Sequence, residues 1–169
     1  MNTIQRSKAQ LFLVVCSLAV VGIAIYLTSV HYENVPLVCS DKGLVDCARV
    51  LSSSYSVVPG TSIPISVPGL LWGLVSASLA VFALRTERSW LPAAQFAWAL
   101  IGMLTVLYLV YVEIVRLHTI CAWCTAMHVL IFLMFLVTIV QLQRQQSGFD
   151  LELETEDEES VTTTPSHSK

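Results

Sequence analysis

Four apolar runs, at residues 11–30, 67–84, 91–112 and 120–142, each approach or exceed the length that crosses a bilayer, about 20 residues at 1.5 Å of helix rise apiece. No other feature constrains the fold as strongly. A span in lipid must satisfy its backbone polar groups internally, so the runs predict an all-α chain, an integral membrane four-helix bundle. The charge distribution agrees. Only 12% of residues are charged, against about 25% in an ordinary soluble protein. The net charge of −3 belongs mainly to the end of the chain, because seven of the twelve acids follow Phe149.

The runs divide the chain into a polar lead at 1–10, a four-span domain at 11–142 and an acidic tail at 143–169 that is expected to be disordered. Residues 31–66 form the one sizeable external loop. Within it Asp46 is placed to cap a short helix starting at Cys47, and Pro59-Gly60 reads as a turn. The first run follows Arg6 and Lys8 and so has the flanks of a signal peptide, but it exceeds the 7–15 apolar residues of a signal core and lacks a small-x-small cleavage site. It is read as a retained anchor. No basic stripe of the nucleic-acid-binding kind is present, so no nucleic-acid partner is expected. Intramembrane charges are too scarce for an ion pathway.

Four spans place both termini on one side. Arg6, Lys8, Arg85, Arg88 and Arg144 flank that side, and Lys42, Arg49 and Arg116 the other. The positive-inside rule therefore predicts cytoplasmic termini. That orientation also puts Cys39, Cys47, Cys121 and Cys124 in the compartment where disulfides persist.

These cysteines carry the chemistry. Cys121 and Cys124, at the head of the fourth run, form a Cys-x-x-Cys dithiol at a helix start, where amide donors and the helix dipole favour a thiolate. The competing readings are half of a zinc site and simple packing. Cys39 and Cys47 lie in the external loop, with a spacing too long for a zinc knuckle. They read as a structural bridge or as a shuttle that exchanges with the inner pair. Cys16, in the middle of the first run, reads as core. Glu113 and Arg116 are spaced to pair on one helical face.

The order Cys39, Cys47, Ser53, a Pro-Gly pair opening the second span, and Cys121-Ala122-Trp123-Cys124 opening the last resembles the vitamin K epoxide reductase family over residues 10–142, in the form of a stand-alone bacterial member. The resemblance implies a quinone, ubiquinone or menaquinone, beside the Cys121–Cys124 pair at the outer end of the bundle. It implies that Cys124 faces the quinone, that Cys121 exchanges with Cys47, and that Cys39 meets a partner protein. Ser53 matches a serine near the active site. Two positions depart from the vertebrate pattern: Ile65 stands where an asparagine is expected, and His128 where a tyrosine is.

His128 follows Cys124 by four residues on the same helical face, where it can protonate a quinone or hydrogen-bond its carbonyl; the alternative is a bond to a neighbouring helix. Trp123, with Trp72 and Tyr108, can line a ring-shaped pocket, although aromatics are also common at membrane interfaces. The reading is a thiol:quinone oxidoreductase in a bacterial inner membrane, its site facing the periplasm or exterior. It would oxidise a separate thioredoxin-fold partner and so support disulfide formation in exported proteins. No metal site is assigned. A thiol-driven vitamin K epoxide reductase and a four-cysteine zinc protein are the alternatives.

Overall fold

The computed structural model describes residues 3–33, 36–39, 45–86 and 88–162, with side chains described for 5–147. Lys42 and the end of the tail lie outside these residues. The elements are α1 (Thr3–Glu33), α2 (Cys47–Leu51), α3 (Ser66–Arg85), α4 (Leu91–Tyr111), a π-helical turn (Val112–Leu117) and α5 (Ala122–Thr162). Among the described residues four helices are long and apolar enough to cross a membrane: Gln5–Glu33, Ser66–Arg85, Leu91–Leu117 and Ala122–Ser147. The fold is the all-α membrane bundle that the apolar runs predict.

Lipid tails are as apolar as leucine, so close packing rather than water exclusion must hold such helices together. The sequence provides for this on α3, where Gly73, Ser76, Ala80 and Ala83 form a buried stripe of small residues. The approach of α1 is tight at Gly73, where an added Cβ would meet Val21 Cγ2 at 3.0 Å. Cys16 packs with Leu13, Ala80 and Met134 in this core, as a core residue should. Leu18, Ile25, Leu104, Leu107, Val129 and Phe132 are exposed, the surface expected of a bundle solvated by lipid.

The end of the bundle away from the cysteines is held by polar contacts. Gln10 Nε2 donates to Gln95 Oε1 at 3.0 Å and to Gln141 Oε1 at 2.7 Å, and Gln95 Nε2 returns a bond to Gln10 Oε1 at 2.9 Å. All three amides are buried. Arg6 donates to the carbonyls of Ala83 and Thr86, occupying the free acceptors at the end of α3. Gln145 Nε2 reaches Ser89 O at 2.6 Å. These contacts bring the start of α1, the α3–α4 link and the middle of α5 to one end, as four antiparallel spans require.

α5 continues past the fourth apolar run, through Thr162. Extending an existing helix avoids the cost of nucleation, and the segment is rich in Gln, Leu and Glu, which are good helix formers.

Candidate active site

The external loop is tied to the bundle by two aromatic residues. Tyr26 Oη accepts from the Val38 amide at 2.9 Å and donates to Pro36 O at 3.5 Å. Trp123 Nε1 donates to Val38 O at 2.9 Å, and its ring lies 4.9 Å from that of Tyr26. Trp123 therefore anchors the strap that carries Cys39. Neither Trp123 nor Tyr108, exposed on α4, is among the residues that line the cavity that Cys124 faces. Because the Trp123 side chain leaves the helix one residue before Cys124, it points along a different face.

Cys39 and Cys47 form a disulfide. Asp46 caps α2 by accepting from the Arg49 amide at 2.9 Å, while its own amide donates to Ile120 O at 3.1 Å. Val45 and Ile120 add a parallel bridge. This docking seats α2 against the residues just before Cys121, and Cys47, Val50 and Cys121 share one buried cluster. Both Cys47 and Cys121 are 0% exposed, whereas Cys39 is only half-buried.

Cys121 and Cys124 are free thiols whose sulfurs lie 2.7 Å apart. Cys121 stands immediately before α5, and its sulfur accepts the Cys124 amide at 3.3 Å, in the manner of a helix N-cap. Its thiol is pulled below the ordinary value, chiefly because Cys124 donates to it. The amides of Cys124 and Trp123 add to the effect, while burial and the Glu113 charge oppose it.

Cys124 faces a cavity of about 430 Å³ within the half of the bundle that carries the dithiols. The size is that of a small-molecule site. Its wall is mostly apolar, with Ser53, His128, Ile65 and Glu113 on it. Ser53 Oγ donates to Val50 O at 2.7 Å, and His128 is buried. Trp72 forms part of the wall, fixed by a reciprocal pair of indole bonds: Trp72 Nε1 to Trp98 O at 3.2 Å and Trp98 Nε1 to Trp72 O at 3.3 Å. Leu71 and Val75 of α3 and Ile101 and Thr105 of α4 line the cavity and are themselves exposed, so it opens sideways between these helices.

Glu113 does not pair with Arg116. Arg116 turns to the loop, where Nε donates to Tyr55 Oη at 3.2 Å. Glu113 turns inward, 6% exposed, toward the Cys121 amide and the Cys124 thiol. The π turn over Val112–Leu117 explains the difference, since its wider winding breaks the spacing of an α-helical i, i+3 pair. Its last residue is followed by His118 in the left-handed region (φ 52°), and the His118 and Thr119 amides both close onto Glu113 O. The sequence signal was available: a carboxylate at the end of an apolar span, eight residues before a dithiol.

Four spans, a loop disulfide packed on an inner dithiol and an apolar cavity beneath it define a membrane protein built for thiol redox chemistry. The family model described as the vitamin K epoxide reductase family matches residues 11–139, and the chain belongs to that family. It is accordingly a membrane thiol-dependent oxidoreductase. No curated protein matches the sequence closely.

Proposed function

We propose that the protein is a thiol:quinone oxidoreductase that takes electrons from a thioredoxin-fold partner and delivers them to ubiquinone or menaquinone. One observation carries this reading. The half-buried Cys39, the buried cluster that holds Cys47 and Cys121, and the cavity-lining Cys124 form a continuous series from the outer loop to a lipid-side opening.

The steps balance as follows. A partner thiolate attacks Cys39 of the loop disulfide, and the partner's second thiol completes its own oxidation, leaving Cys39 and Cys47 reduced. The Cys47 thiolate attacks Cys121 of an inner disulfide and releases Cys124. Cys39 then attacks Cys47 and releases Cys121, so that the disulfide has moved outward and two electrons have moved inward. The structure's pairing, with the loop oxidised and the inner pair free, corresponds to this electron-loaded state. Cys121 and Cys124 then close to a disulfide as the quinone accepts two electrons and two protons. The sideways opening suits a substrate that travels in lipid.

Cytoplasmic termini and a periplasmic or exterior site follow from the charge bias, and oxidation of exported proteins follows from that orientation. Ile65 and His128, which depart from the vertebrate pattern, both stand on the cavity wall and favour this direction over epoxide reduction. The zinc alternative loses two of its four sulfurs to the loop disulfide. The test is quinone reduction by purified protein supplied with a reduced thioredoxin-fold protein. Turnover is expected in wild type and none in Cys124→Ala; turnover that survives this substitution rejects the reading.

A further inference from the structure

Glu113 is a buried carboxylate inside a membrane span, where an ionisable group is costly to hold and marks function by default. It cannot be explained as half of an ion pair, since Arg116 is engaged with Tyr55. Its backbone is over-determined by the two amides that close onto its carbonyl. Its side chain faces the Cys121 amide and the Cys124 thiol, and it lies on the wall of the same cavity as Cys124 and His128.

We propose that Glu113 is a catalytic residue, the proton acceptor of the Cys124 thiol, which carries that proton to the substrate bound in the cavity. The inference rests on the thiol:quinone reading for the identity of the final acceptor, but not for the proton transfer itself. When the inner pair is oxidised, two thiols lose two electrons and two protons. Glu113 takes the proton of Cys124 as the sulfur–sulfur bond forms, gives it to a quinone oxygen, and, ionised again, takes the proton released from Cys121 and passes it to the second quinone oxygen, so that two electrons and two protons leave as quinol. The site has a need for such a group. Cys121 is fully buried, and the half-buried Cys124 lines a largely apolar cavity, so bulk solvent is poorly placed to collect the protons.

The experiment compares wild type, Glu113→Gln and Glu113→Asp as full-length reduced protein in detergent. Two oxidants are used: a short-chain ubiquinone, and diamide, which oxidises thiols without a quinone. Diamide closure of Cys121–Cys124 is followed by maleimide labelling with Cys39 and Cys47 replaced by serine. Loss of a general base typically costs about 100-fold or more, and Glu113→Gln is expected to slow both reactions by that order, with Glu113→Asp recovering part of the rate. A carboxylate that only added negative charge beside the thiols would make Glu113→Gln faster, and that result overturns the proposal.

At alkaline pH, where Cys121 ionises without an acceptor, trapping of the Cys47–Cys121 mixed disulfide in a Cys124→Ala background should stay within about twofold when Glu113→Gln is added. Its loss would show that Glu113 only packs the site and would also overturn the assignment. If wild type reduces no quinone while Glu113→Gln still slows diamide closure, the quinone reading fails and the Glu113 assignment stands.

Discussion

The Asp46 amide donates to the Ile120 carbonyl across 3.1 Å, and this bond ties the helix that begins at Cys47 to the residue before Cys121. Two chain segments separated by two membrane spans thereby bring their sulfurs into one buried cluster. The loop is a docked element, and in the proposed electron path its position would set the rate of exchange between the dithiols.

Asp46→Ala should loosen that docking. It removes the side-chain cap on the Arg49 amide, a loss of about 1 kcal/mol in typical helices. The expected result is several-fold slower trapping of the Cys47–Cys121 mixed disulfide in a Cys124→Ala background, with Asp46→Asn close to the parent. Trapping that is unaffected by Asp46→Ala would mean that α2 is positioned without its cap, by the Asp46 amide bond to Ile120, the disulfide and Val50.

The acidity of Cys121 gives a pH prediction. Its thiol lies below the ordinary value first because Cys124 donates to it, so its thiolate persists to lower pH than that of an ordinary cysteine and is lost as pH falls through the depressed value. Removing the donor raises that value. Mixed-disulfide trapping should therefore set in at higher pH in Cys124→Ala than in Cys124→Ser, whose hydroxyl still donates. Coincident profiles would show that burial and the helix start govern Cys121 instead.

Gly102 faces the ring of Trp72, where an added Cβ would sit 2.5 Å from Cζ2. Gly102→Ala must move an indole whose Nε1 is held by the Trp98 carbonyl. Overpacking of this kind costs about 1–3 kcal/mol, and here it also narrows the cavity. Quinone reduction should fall with a rise in KM, while trapping of Cys47 with Cys121 is retained. An unchanged KM would indicate that the substrate does not reach the Trp72 wall.

The glutamine cluster at the opposite end is a stability device. Interhelical hydrogen bonds in membranes contribute about 0.6 kcal/mol on average, up to about 1.7. Gln10→Leu strands the amides of Gln95 and Gln141 and should lower the thermal midpoint in detergent. Leucine at all three positions should restore much of the loss, because no buried polar group is then left without a partner. A triple variant less stable than Gln10→Leu would point to a bound polar group at this site.

The spans were legible because the membrane imposes a length and a composition that can be read directly. The dithiols were legible because cysteine type and order carry the chemistry, and Asp46 as a cap because the rule is local. Glu113 was not. An i, i+3 spacing on an assumed α-helix pairs it with Arg116, and the π turn that separates them is fixed by the closure onto Glu113 O and by contact with the loop, both of them tertiary. The bond from Trp123 to the strap was not legible for a related reason, since its orientation depends on Val38. The three glutamines left a signal, as amides near the same end of three apolar runs. Their pairing required the helix arrangement.

The most direct test of the electron path is a single turnover of prereduced protein with excess quinone, read as quinol formed. Each dithiol carries two electrons. The account predicts one quinol from the Cys39→Ser/Cys47→Ser protein, a second equivalent from wild type as the loop pair refills the inner one, and none from Cys124→Ala. Quinol formed by Cys124→Ala, or a wild type that yields none, would contradict it.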